Sequence, residues 1–589
     1  MRTFAIFSFL IAFTITVFSA SCIERISENF ITPGISVTPV NGIRIAWDRS
    51  SLKQMGPANA NYSGYPRMIK LSNGWLFAVY ESDGSVQCIK SKDLGLTWTE
   101  PLKIAVNENG INPSVPEILE LNDHTLLASY NPRPPATNTD TSRHFSIRIK
   151  RSKDFGETWT DERELYRAGY EFKNGCWEPA QIQLPSGEIQ LYMSNEGVYK
   201  QSDEQNITMF RSFDNGLSWT NGEIVSFRKG FRDGMPIPVY LANSNEIIFS
   251  IEDNGIEAPQ FKPSIIRTSL NDNWKSGTVT ESSPKREYAL EKNSHIPLAC
   301  YAGAPYIREL KSGEVILSYQ GTEFRSNNTW DISDMVVCIG SSDGRYFNRK
   351  TTPFYTTDAT KTFLWNSLCV ESDSTIIALA STNAFGKNTS VWMIRGYILP
   401  EIKAPKHNPA MEMKKTTVGS PLKFPIFIGR NSLTRANAGI SWDKNNLYLH
   451  ADVMDTHVFT NNSDALSNDA VRFSIDPKNI STDRPVDGIY SVLVDASGRI
   501  ITRQGKNGQW ATWANDEVTA KAQTNQNGYS IDVTIQWKSI GGFAGFDKRI
   551  GFNACLLENS SGKSLDYSES IGGNIPDMPY TWSPAYLIP

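Results

Sequence analysis

Residues 91–98 read SKDLGLTW, residues 152–159 read SKDFGETW, and residues 212–219 read SFDNGLSW. One pattern, Ser-x-Asp-x-Gly-x-x-Trp, returns at intervals of about sixty residues, and self-similarity at a fixed period marks a repeat architecture. Each conserved letter has a physical use. The Asp caps its own turn, the Gly supplies a positive φ, and the Trp packs beneath a hairpin. Ahead of each box lies a second repeat: an apolar strand, a turn, then another apolar strand with period-2 alternation. Its copies are YPRMIKLSNGWLFAVYE from Tyr65, VPEILELNDHTLLASYN from Val115 and WEPAQIQLPSGEIQLYMS from Trp177. They continue with GMPIPVYLANSNEIIFSIE from Gly234, GAPYIRELKSGEVILSYQ from Gly303 and LWNSLCVESDSTIIALAS from Leu364. In the last three repeats the box is eroded, as in SLNDNW from Ser269 and SSDGRYFN from Ser341.

Six such units predict an all-β chain with a six-bladed β-propeller over residues 45–402. A strand near Ile43, or the run VWMIRGYILP, would close the ring. The boxes resemble the Asp boxes of sialidase-type propellers, which are structural, so their Asp residues are not catalytic candidates. After Pro400 the run EIKAPKHNPAMEMKK reads as a linker, placed at 403–410. Residues 411–589 carry no box. Their short alternating runs, among them AGISWDKNNLYLHADV, DAVRFSIDPKN and GYSIDVTIQW, predict a β-sandwich. The segments SWDKNNLYLHADVMD and SNDAVRFSIDP, with a closing TWSP at Thr581, resemble carbohydrate-binding module family 9. Trp510 and Trp513 would then be its sugar-stacking platform, or else a buried strand pair.

At 589 residues the chain needs two or more cores. A formal charge of −4, with no Lys/Arg run, argues against nucleic acid as the partner. The first 22 residues, MRTFAIFSFLIAFTITVFSASC, have an early Arg, an apolar run and small residues before Cys22, which is the pattern of an export signal. Ser19-Ala20-Ser21-Cys22 resembles a bacterial lipobox. The expectation is a signal over 1–22, lipidation at Cys22, a tether over 23–44, and a membrane-anchored exported lipoprotein; ordinary cleavage is the alternative. The other six Cys show no paired spacing and read as small buried hydrophobes. The six His show no metal-ligand spacing. No cofactor or metal is expected.

In a propeller the ends of the inner strands converge on one axis. Residues at those ends are Arg67, Glu81, Glu117, Trp177, Glu178 and Asp233, followed by Glu252, Tyr306, Tyr319, Glu323, Trp365 and Asn366. Any one of them could be a solvated loop-end charge or ring. Together they suit glycoside hydrolysis, which needs an acid to protonate the leaving oxygen, a second carboxylate at the sugar cation, and aromatic faces for the ring.

The WEP of the third repeat, followed by RDGMP and a strand ending in SIED, resembles glycoside hydrolase family 93, the exo-arabinanases on six-bladed propellers. By their places at the strand ends, Arg67, Glu117, Trp177, Asp233, Tyr306, Tyr319, Trp365 and Asn366 are expected to bind an oligosaccharide or polysaccharide substrate, and that resemblance implies Glu178 as nucleophile and Glu252 as acid/base. It also implies a retaining reaction, with carboxyl groups about 5–5.5 Å apart. Near the start of the sixth blade, where the family carries a Tyr, this chain has Leu364-Trp365-Asn366. A second enzyme reading is a sialidase acting on an acidic sugar, with Arg67, Arg232, Arg308 or Arg325 holding its carboxylate and Tyr301, Tyr306 or Tyr319 as nucleophile. A third is a surface glycan-binding lipoprotein without catalysis.

Overall fold

A computed structural model of the chain describes residues 44–588, apart from 327, 355, 357, 373–374, 400–401, 408–425, 429–433, 462, 481, 483, 515, 544–548, 560–566, 571–575, 578 and 580–581. The signal, Cys22 and nearly all of the expected tether lie outside the described residues. Among the described residues no helix is long and apolar enough to cross a membrane. The chain divides into two compact units, whose main spans are Arg49–Gly396 and Tyr397–Pro589.

The first unit contains the six expected blades, each a four-stranded sheet. Blade one runs from its inner strand Ser63–Lys70 through Leu76–Ser82 and Ser85–Ser91 to Leu102–Val106. The inner strands of the next four blades are Asn112–Glu120, Cys176–Gln183, Asp233–Leu241 and Ala302–Glu309. In blade six, Phe363–Val370, Thr375–Thr382 and Ser390–Leu399 are completed by the early strand Arg44–Gln54 on the outside. Each inner strand packs beside the next, and the sixth returns to the first.

The boxes have their expected geometry. Asp93 accepts from the Thr97 N–H (2.8 Å), the Thr97 hydroxyl (2.5 Å) and the Ser91 hydroxyl (2.7 Å). Gly95, at φ +82°, donates its N–H to Ser91 Oγ. Asp154 and Asp214 repeat these bonds with Thr158 and Ser218. The eroded box of blade four keeps the turn, because Asp272 accepts from the N–H and hydroxyl of Ser276. Between blades the faces close on apolar clusters: Tyr192, Ile207 and Met209 of blade three meet Ile247, Phe249 and Ile251 of blade four. Truncating such a residue to Ala costs roughly 3–5 kcal/mol for an aromatic one.

The second unit is a two-sheet sandwich. One sheet has five strands, in the order Ile426–Ile428, Arg435–Trp442, Asn446–Met454, Gly528–Gln536 and Val518–Asn525. The facing sheet is built around Ala470–Asp476 and Arg549–Glu558. Alternation is clean in Asn446–Met454, where Leu447, Leu449, Ala451 and Val453 turn into the core they share with Phe473, Val492 and Phe552. Of the linker expected at 403–410, residues 408–410 lie outside the described residues. Ile402–Ala404 pairs in parallel with Ser583–Leu587, and the His407 N–H bonds the Trp442 carbonyl at 2.7 Å. The Pro-rich, charged composition concealed the Ile402/Ala404 alternation that makes this stretch an edge strand. Cys88, Cys176, Cys300, Cys338, Cys369 and Cys555 are all buried, and none of the six is in a disulfide.

Candidate functional site

Every inner strand of the propeller breaks its ladder at the same place. The register slips between Gly64 and Arg67, Ser114 and Glu117, Trp177 and Ala180, Gly234 and Ile237, Gly303 and Tyr306, and Leu364 and Ser367. Within each bulge one non-glycine residue takes a left-handed conformation: Tyr65, Val115, Glu178, Met235, Ala304 and Trp365, with φ between +46° and +51°. Such a conformation costs a side-chain-bearing residue on the order of 1–2 kcal/mol. Its sixfold repetition shows that the fold imposes it. In five blades the next residue is Pro, which the inner strand tolerates because it is a sheet edge and needs no ladder donor there.

These six residues meet at the axis. Tyr65, Val115, Met235 and Ala304 form one buried apolar cluster, with Trp365 against it. Trp365 stacks on Tyr65 at 4.6 Å between centroids, and the half-exposed Trp330 stands 6.5 Å from Trp365. The sixth member, Glu178, is the one charged residue in the ring. Around it runs a polar ring from the second strands, opposite the residue that precedes each bulge: Glu81, Asn131, Ser194, Glu252, Gln320 and Ser381. Five of these side chains accept the N–H of the next blade's left-handed residue. Glu81 takes that of Val115, Ser194 that of Met235, Glu252 that of Ala304, Gln320 that of Trp365 and Ser381 that of Tyr65. The donors that a bulge would orphan are thereby satisfied.

Glu252 is held in this ring by more than its bond to Ala304 (2.9 Å). A Cβ on Gly303 would lie 2.4 Å from Glu252 Oε2, and one on Gly234 would lie 3.0 Å from Oε1. Two glycines therefore make the slot that its carboxyl fills. Burial, with the nearby charge of Glu178, pushes the Glu252 carboxyl up to about 7. Burial also raises Glu178, but Arg133, a hydrogen bond from Ser194, and Arg232 oppose it. Arg133 Nη2 lies 3.2 Å from Glu178 Oε1.

The remaining expected residues separate into groups. Trp177 lies under the site, against Phe145 and Phe172, with the Arg133 guanidinium over its ring at 4.8 Å. Glu81 accepts from the Tyr62 hydroxyl at 2.9 Å, in addition to Val115. Two residues further along the inner strands, Arg67 and Glu117 form a buried ion pair (3.2 Å), with Arg67 over the Tyr306 ring at 4.9 Å. All three are buried. Asn366 is likewise buried and accepts from Ser318. Asp233 is fully buried within blade four and bound twice by Arg286 (2.8 and 2.6 Å) and by Ser226, so it has no face for a substrate. Its position at the strand mouth was a sound signal, but the blade's own arginine takes the charge. Tyr319 donates to Glu323, which also binds Lys350, and that group is buried as well.

Arg232, expected to hold a substrate carboxylate, pairs with Glu196. Arg133 and Tyr65 were not among the expected residues, and of the two Arg133 is the more telling. It lies at the end of the second strand of blade two, in NPRPP, where the chain reads as a loop. The signal for Tyr65 was present: a residue followed by Pro near the start of an inner strand recurs in five repeats. In the second unit, Trp513 is buried in the sandwich core against Tyr490, while Trp510 donates to Asp577 at 2.7 Å beneath Arg472. The two do not form a common platform.

The molecule is an Asp-box β-propeller of six blades followed by a β-sandwich. Residues 427–569 match the family model described as "Carbohydrate family 9 binding domain-like", and no curated protein matches the chain. Among solved structures, the chain is similar to a protein of unknown function from Dyadobacter fermentans DSM 18053, at 16% identity and TM-score 0.46, over 61% of this chain and 100% of that one. It is similar to the GH93 α-L-arabinofuranosidase of Fusarium graminearum, solved with arabinobiose, at 20% identity and TM-score 0.45, over 58% and 97%. It is also similar to a family 9 carbohydrate-binding module from Caldicellulosiruptor kristjanssonii, solved with cellotriose, at 18% identity and TM-score 0.26, over 32% and 93%.

Proposed function

We propose that this protein is an exo-acting, retaining glycoside hydrolase, with arabinan-like oligosaccharides as its substrate and a lipid anchor at Cys22. The observation that carries this reading is the bulge ring. Of six equivalent axial positions five are apolar or aromatic and one is Glu178, and the nearby Glu252 is held mostly protonated below about pH 7. In the first step, protonated Glu252 gives its proton to the glycosidic oxygen while a Glu178 oxygen bonds the anomeric carbon, and the leaving group departs as an alcohol. In the second step, Glu252, now ionised, takes a proton from water, whose oxygen displaces Glu178. Tyr65 and Trp365 supply the ring faces, and the motif resemblance of WEP and RDGMP…SIED supplies the substrate class.

The acidic-sugar reading is less well supported. Each arginine that would hold a substrate carboxylate already has a protein partner: Arg67 and Arg308 face Glu117, Arg232 faces Glu196, and Arg325 faces Asp334. The test is a hydrolysis screen of purified protein against arabinan oligosaccharides, sialosides and uronic-acid glycans, with the anomer of the first product read by proton NMR. Release of arabinose with retained configuration is expected. Hydrolysis of sialosides alone, or an inverted product, would overturn the assignment. For the anchor, intact-mass analysis of membrane-extracted protein should find acyl chains on Cys22, and a soluble mature protein beginning beyond residue 22 would contradict it.

A further inference from the structure

Two half-buried carboxylic acids at one site both lose solvent, so something must decide which of them carries the charge. Around Glu178 the cations are Arg133, from the second strand of blade two, and Arg232, just ahead of the inner strand of blade four. The acids are Glu252 and Glu196, and the phenols Tyr65 and Tyr301 and the thiol of Cys176 also face it. Arg232 is committed to Glu196 and acts on both Glu178 and Glu252, so it cannot separate them. Arg133 can: it is in direct contact with Glu178 (3.2 Å).

Arg133 is also held in place. Its Nε donates to Asn131 Oδ1 at 2.6 Å, and its guanidinium lies 4.8 Å from the Trp177 ring centroid and 5.8 Å from that of Tyr65. A planar guanidinium braced by a hydrogen bond and two aromatic faces has little freedom to leave its partner. Asn131 is itself anchored, donating to the Ser146 carbonyl at 2.8 Å. From this geometry we infer that Arg133 is the positioning residue of the site, orienting Glu178 and making it, rather than Glu252, the ionised member of the pair. The inference rests on the hydrolase reading for its consequence but not for its test.

The test uses the full chain with R133M and R133K. In the pH profile of kcat/KM, R133M should shift the acidic limb upward by about one unit or more and lower kcat about a hundredfold. R133K keeps the charge without the fork, so its limb should stay near that of the wild type while kcat still falls. Infrared difference spectra against E178Q, titrated over the same range, follow the Glu178 carboxyl without any substrate, and its midpoint should rise in R133M. If the wild type hydrolyses nothing, the hydrolase reading fails while the infrared titration still decides the role of Arg133. An unmoved Glu178 midpoint in R133M, or an R133K midpoint raised as far, would overturn the inference. Should R133M fail to fold, wild-type kcat in R133K would overturn it too.

Discussion

At the scale of single residues, two glutamates that look alike in sequence differ in their surroundings. Glu178 sits in a bulge conformation beside a guanidinium; Glu252 sits in a slot between two glycines, with no cation in hydrogen-bonding contact among the described residues. Because Glu252 must be protonated to act as the acid, kcat/KM should fall as pH rises through about 7. In E252Q that alkaline limb should disappear. Turnover of substrates with poor leaving groups should drop about 10²–10⁴-fold, and aryl glycosides should be spared in the first step. The same shift has a sign for stability. A carboxyl raised on folding favours the native state below its unfolded value of about 4.3, and that contribution is lost as pH rises through about 7. Thermal melts should therefore be less pH-dependent between those values in E252Q than in the wild type. Glu178 was legible in the sequence because WEP is a local motif. Arg133 was not, because its contact with Glu178 joins two blades, and a single strand's pattern says nothing about its neighbour's rim.

At the scale of the element, the repeating unit is the inner-strand bulge with the second-strand residue opposite it. The hairpins themselves were plain from period-2 alternation and the turn residues. The bulge was written in the recurring Pro, yet a Pro near the start of a strand says only that a ladder donor is unneeded; the side chain carried inward follows from the register slip. Asp233 illustrates the limit. It occupies a strand mouth like the other candidates, and only packing within the blade reveals Arg286 against it. Gly303→Ala tests the element directly. The added Cβ would crowd Glu252 Oε2 and the Tyr301 hydroxyl, 2.4 and 2.2 Å away, so the carboxyl must shift. We expect kcat to fall about tenfold or more, with the alkaline limb displaced and the blade still folded by circular dichroism, since misplacement by about an ångström is enough to cost this much. Full activity in this variant would mean that the slot does not position the acid.

At the scale of the whole molecule, repetition made the propeller readable. Three intact boxes set the period, and six hairpins set the number of blades. The sandwich was readable as a class, whereas its first strand was hidden under a linker-like composition. The boxes predict an acid response. Hydrogen bonds from the hydroxyl and N–H four residues on hold Asp93, Asp154 and Asp214 at about 2. Carboxyls depressed on folding stabilise the native state above their unfolded value of about 3.9 and lose that contribution as pH falls through about 2. The triple variant D93N/D154N/D214N should thus lose stability at pH 5 and show a weaker decline on acidification, read by chemical denaturation at each pH. An axial Glu178 that attacks the sugar can be trapped as a covalent glycosyl ester. Incubation with a 2-deoxy-2-fluoro glycosyl fluoride of the sugar found in the screen, followed by peptide mapping by mass spectrometry, should place one glycosyl group on the peptide carrying Glu178. A label on Tyr301 or another residue, or undiminished labelling in E178Q, would contradict it.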